Sequence, residues 1–128
     1  QYTMLCASIM GQIAAIEALK SGEDSINEMV EEYNRRRLTL VKGLNDIGLA
    51  CFEPRGAFYA FPSIKTTAMT SEEFAERLLT EEKVAVVPGS AFGQCGEGYV
   101  RCCYATSLAD IEEALSRMKR FVAKHRKV

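Results

Sequence analysis

Arg101 is the residue whose type and place most call for a chemical reason. It sits inside the run VAVVPGSAFGQCGEGYVRCCY, residues 84–104. Residues 84–87 and 99–104 read as two short buried strands. Between them Pro88, Gly89, Ser90, Ala91, Gly93, Gly96 and Gly98 read as a loop of small residues. Strands of this kind ordinarily carry aliphatic side chains throughout. A guanidinium is costly to bury unless an anion meets it, so either a carboxylate of the fold or an anionic ligand faces Arg101. Its planar fork matches a carboxylate with two parallel hydrogen bonds, which a lysine ammonium cannot do. The plainer alternatives are an arginine solvated at a sheet edge, or one paired with an internal glutamate.

The elements that must position this residue follow from periodicity and capping signals. Ile9, Ile13 and Ile16, with Ala14, Ala18 and Leu19, form a helical stripe ending at Lys20, with Gly22 as its stop. Ser25 to Glu28 has the form of a capping box, which predicts a long helix to about Ile47, closed by Gly48. Residues 49–53 read as a strand, Pro54-Arg55-Gly56 as a turn, and residues 57–61 as a second strand. Thr70 to Glu73 is another capping box and opens a helix to about Glu82, with Phe74, Leu78 and Leu79 on its inner face. Ser107 caps a last helix whose stripe is Ile111, Leu115, Met118 and Val122, with Phe121 beside it. Helices with one apolar face and about four short strands imply a small α/β (α+β) fold. It is a two-layer sandwich in one domain spanning residues 1–128.

Composition narrows the function. The chain has 128 residues, 48% of them hydrophobic, and a formal charge of −1. That length can bury a core, and that charge gives no global field for nucleic acid or an anionic membrane. No run is apolar enough to span a membrane, and no signal-peptide pattern is present. The five cysteines (Cys6, Cys51, Cys95, Cys102 and Cys103) are odd in number and lack a C-x-x-C spacing. They read as reduced, mostly buried thiols of a cytoplasmic protein. His125 is the single histidine, so the chain offers neither a metal cluster nor a Ser-His-Asp triad. The chain opens on Gln1, as a piece cut from a longer protein would.

The pattern V-A-V-V-P-G-S-A-F-G…Y-V-R-C-C-Y-A resembles the C-terminal segment of class I/II aminotransferases, the fold-type I pyridoxal-phosphate enzymes. The stretch Pro54 to Pro62, P-R-G-A-F-Y-A-F-P, is similar to a strand pair of the same family. The resemblance covers essentially the whole chain and implies the family's small, C-terminal domain. It implies that Arg101 binds the substrate α-carboxylate and that Gly56, Ala57 and Phe58 line the substrate side chain. Core packing is the competing reading for Phe58, Tyr59 and Phe61. The resemblance also implies pyridoxal 5′-phosphate in the full-length parent, amino-acid and 2-oxo-acid substrates, and a homodimer. The family's Schiff-base lysine belongs to a large domain upstream of Gln1, so the 128-residue chain alone is expected to bind no cofactor and to be inactive. Lys65, before Thr66 and Thr67, is the nearest thing to a phosphate contact. The face of Arg101 and the segment around Tyr2, Met4 and Leu5 are expected to lie against that large domain. Two alternatives stay open: a related fold-type I lyase or decarboxylase, and a free-standing, non-catalytic small-molecule-binding module.

Overall fold

A computed structural model describes residues 6–126. The chain divides into two compact units, residues 1–32 and 33–128, with the boundary inside a long helix. The opening segment around Tyr2, Met4 and Leu5 lies outside the described residues.

The first unit holds α1 (Ile9–Ser21) and the start of α2 (Glu23–Asp46). α1 buries none of its residues, although its apolar stripe forms where periodicity predicts it. Gly22 is less a stop than a joint. Its backbone keeps a right-handed helical conformation (φ −83°), its N–H donates to the Ala18 carbonyl, and its own carbonyl accepts from Ile26. That bond sets the helix start at Glu23, so Ser25 lies inside the first turn and is not the cap.

The second unit carries the sheet. Its strands are β1 (Tyr59–Ala60), β2 (Val87–Pro88) and β3 (Val100–Cys103), in the order β1-β3-β2, antiparallel throughout. The expected strand at 49–53 does not join it. Asn45 takes both backbone groups of Cys51 with its carboxamide, and such side-chain bonds compete with a ladder. The strand expected at 84–87 shortens to its end, because the Val84 N–H turns back to the Leu78 carbonyl. Val87 and Pro88 pair with Arg101 and Val100, and the Gly89 N–H adds a bond to the Tyr99 carbonyl at 2.9 Å before the chain turns.

α3 (Ser71–Glu82) and α4 (Leu108–His125) start where their caps predict. The hydroxyls of Thr70 and Ser107 accept from the N–H groups of Glu73 and Asp110. α3 buries Phe74, Ala75 and Leu78 but leaves Leu79 on its outer side. One core joins Leu40 and Leu44 of α2, Phe74 and Leu78 of α3, Val100 and Cys102 of β3, and Ile111, Met118 and Phe121 of α4. The Phe74 and Phe121 rings meet edge to face at 5.2 Å. The helices therefore cover one face of the sheet, which is the two-layer arrangement. Among the described residues, no helix is long and apolar enough to cross a membrane.

Candidate functional site

β3 alternates, as a strand with one covered face must. Val100 and Cys102 point into the core, while Arg101 and Cys103 point the other way. Register decides what meets them. Tyr59 stands opposite Cys103, and Val87 stands opposite Arg101. Tyr59 is thus a diagonal neighbour of Arg101 on the same face, within reach for an aromatic ring. The Arg101 Cζ lies 4.3 Å from the centre of the Tyr59 ring. On the β2 side it lies 4.7 Å from the centre of the Phe92 ring. Both distances are well inside the range of cation–π attraction. Arg101 is half-buried, and among the described residues no carboxylate pairs with it.

The loop after β2 places Phe92. Residues Gly89–Phe92 and Gln94–Gly96 form two tight helical turns. A Cβ on Gly89 would sit 2.0 Å from the Gly96 carbonyl oxygen, and one on Gly96 would sit 2.1 Å from that of Gly89. The two backbones therefore touch, which only glycine permits at both positions. The close approach that the small residues make possible is of the loop to itself. Ser71 and Glu97 fix the loop to the start of α3. The Ser71 N–H donates to the Glu97 carboxylate at 2.8 Å, and the Ser71 hydroxyl accepts from the Gly98 N–H at 2.9 Å. Phe61 extends the aromatic face, with ring centres 5.8 Å from Phe92 and 5.9 Å from Tyr99.

The other residues singled out from the sequence are only partly gathered here. Phe58 is half-exposed and touches the Tyr59 ring at 4.6 Å, one ring removed from Arg101. It also stacks on Tyr33 at 6.2 Å. Gly56 and Ala57 form the exposed turn before β1, where Ala57 adopts a positive φ of 55°. Tyr104 holds that turn, donating its hydroxyl to the Ala57 carbonyl at 2.8 Å and its N–H to the Phe58 carbonyl at 2.9 Å. Among the described residues, the ring contacts of Arg101 are with Tyr59 and Phe92, and neither Gly56 nor Ala57 carries a polar or aromatic side-chain group to reach it. Tyr59 and Phe61, which core packing could have claimed, are half-buried members of the site face instead. Phe92 carried no mark in the sequence beyond its place in the P-G-x-x-F-G run.

Cys102 is the one fully buried cysteine, and burial pushes its thiol up to about 12. Burial also raises the thiol of half-buried Cys51. Cys6, Cys95 and Cys103 are exposed, which corrects the reading of mostly buried thiols. All described lysines are exposed, and Lys65 rests its ammonium 5.4 Å from the Tyr99 ring centre. A separate 340 Å³ cavity, lined by Lys83, Val84, Cys103, Asp110 and Arg117 among others, opens beside the start of α4 and does not include Arg101. A cation held on an aromatic face without an internal anion can dock an anionic ligand. By itself it can make or break no bond.

Comparison with known proteins supplies the context. The model of the family "Aminotransferase class I and II" matches residues 2–118. The chain is 60% identical over 124 residues to YugH of Bacillus subtilis, which is named as an aminotransferase, covering 97% of this chain and 32% of that protein. It is 50% identical over 121 residues to an aspartate aminotransferase of Pyrococcus abyssi, covering 93% of this chain and 31% of the relative. The solved structure of an aromatic aminotransferase from Pyrococcus horikoshii superposes with a TM-score of 0.91 at 48% identity, over 96% of this chain and 33% of that one. The chain thus spans about a third of the length of these relatives. Sequence and fold agree along nearly its whole length, and the chain belongs to the class I and II aminotransferase family.

Proposed function

We propose that this chain is the small C-terminal domain of a pyridoxal-phosphate-dependent aminotransferase, and that Arg101 holds the α-carboxylate of its substrates. The observation that carries the reading is the half-buried guanidinium of Arg101, set between Tyr59 and Phe92 with no carboxylate partner among the described residues. The substrates are an amino acid and a 2-oxo acid, each with a carboxylate for the same fork. Holding that group fixes the rest of the substrate in orientation and removes much of the entropic barrier to reaction. Gly56, Ala57 and Phe58 line the side-chain end of the substrate in this reading.

Pyridoxal phosphate is the cofactor of the family's reaction. The described residues of this chain do not fit a covalent hold on it. A Schiff-base lysine is activated by desolvation or a neighbouring cation, and all described lysines are exposed. The remainder of the parent therefore holds the cofactor, and the 128-residue chain alone is inactive. The partners are that large domain and a second copy of the parent. Five free thiols fit a cytoplasmic setting.

Arg101→Ala in the full-length parent tests the assignment. Removing one partner of a desolvated, hydrogen-bonded charge pair costs on the order of 2–5 kcal/mol. At about 1.4 kcal/mol per decade this is roughly a 30- to 4,000-fold loss in kcat/KM. Arg101→Lys recovers only part of it, because an ammonium lacks the two-pronged fork. The absorption of the bound cofactor stays unchanged. A single-turnover rate within about threefold of wild type, on folded and cofactor-loaded enzyme, removes Arg101 from the site.

A further inference from the structure

We propose that Tyr59 and Phe92 act as positioning and specificity-determining residues. They sheathe the Arg101 guanidinium so that it accepts a planar carboxylate and disfavours a tetrahedral anion such as a phosphonate. The proposal rests on the carboxylate role of Arg101 given above and adds what decides which anion fits.

The two rings come from opposite sides of β3. Tyr59 belongs to β1 and Phe92 to the turn after β2, and β3 lies between those strands. Their centres lie 4.3 and 4.7 Å from the Arg101 Cζ. The rings flank the cation and do not stack on one another: Phe58 is the ring neighbour of Tyr59, and Phe61 is that of Phe92. A guanidinium has two π faces and an in-plane rim of N–H donors. In the proposed sheath the rings take the two faces, and the rim is the open approach. A carboxylate is flat and can lie in the guanidinium plane, making two parallel hydrogen bonds. A phosphonate can place two oxygens on the rim, but its third projects out of plane. There it meets the electron-rich face of an aromatic ring, which repels an anion. The rings also restrict the rotamers of a long side chain, so less freedom is lost when the anion docks.

The test uses the full-length parent with propanoate and ethylphosphonate as competitive inhibitors at constant ionic strength. The wild-type enzyme prefers the carboxylate. Phe92→Leu and Tyr59→Leu each narrow that preference about tenfold, the scale of one partly desolvated cation–π contact. Phe92→Tyr and Tyr59→Phe keep the preference, because each retains a ring. A purely structural role moves both inhibition constants together and leaves their ratio alone. Phe92 is 50% exposed, so its replacement by Leu leaves the core intact, and it decides the matter alone if a Tyr59 variant does not fold. Arg101→Lys separates the two layers of the argument. If it weakens carboxylate binding while both leucine variants keep the wild-type ratio within about threefold, the sheath is refuted and the carboxylate role stands. If it leaves both anions bound as in wild type, the carboxylate role itself fails.

Discussion

Alternation along four residues accounts for much of the site's behaviour. Arg101 and Cys103 face outward while Val100 and Cys102 are buried. The opposed facing of Cys102 and Cys103 was readable from the sequence, since neighbours on a strand point apart. The surroundings of Arg101 were not. Periodicity says that Tyr59 and Arg101 each have a face, but only the register between β1 and β3 makes it the same one. The cysteine pair gives a direct check on facing. Burial raises the Cys102 thiol from 9.0 to about 12, leaving roughly a thousandfold less thiolate than an unshifted thiol at the same pH. Iodoacetamide on the native protein should therefore label exposed Cys103 and spare Cys102, which reacts only after denaturation. Peptide mass spectrometry resolves the two sites. Equal labelling of both in the native protein would show that β3 does not face as described.

At the level of elements, local signals held where nothing competed with them. The boxes at Thr70 and Ser107 cap α3 and α4 as they should. The box at Ser25 does not, because the Gly22 carbonyl already starts the helix. The stretch at 49–53 failed as a strand because Asn45, six residues before Cys51, takes the backbone groups of Cys51 with its side chain. α3 and α4 are also joined by charges that no periodicity reveals. The Glu81 carboxylate meets Lys124 at 2.7 Å, His125 at 3.0 Å and Arg77 at 3.0 Å. Hydrogen bonds from Lys124, then from His125, pull its pKa from 4.5 to about 2. A carboxyl depressed in the folded state is protonated more readily in the unfolded one. Its contribution is therefore complete above about 4.5 and fades as pH falls towards about 2. Urea midpoints should drop across that interval, and Glu81→Gln should flatten the drop while lowering stability near neutrality. An unchanged acid limb in Glu81→Gln would assign the loss to other carboxylates.

The described residues leave many large apolar side chains exposed, most of them in the first unit. In the first unit Ile9, Met10, Ile13, Ile16 and Leu19 of α1, with Ile26, Met29 and Val30 of α2, are all more than half exposed. These residues have the helical spacing of a buried face, yet the described residues offer them no cover. In the second unit, by contrast, α2 buries Leu40 and Leu44 in the core. A patch of such size ordinarily marks an interaction surface. The chain spans about a third of its relatives, which fits a surface meant for the rest of a parent protein. The isolated chain at high concentration should therefore self-associate through its first unit. Sedimentation velocity should show concentration-dependent oligomers for residues 1–128 and a folded monomer for residues 33–128, which keep the core. Charged replacements at Ile13 and Ile16, both solvent-facing, should dissociate the oligomer without lowering the melting temperature. If residues 33–128 associate as strongly as the full chain, the contact lies elsewhere, and the aromatic face around Arg101 becomes the surface to test.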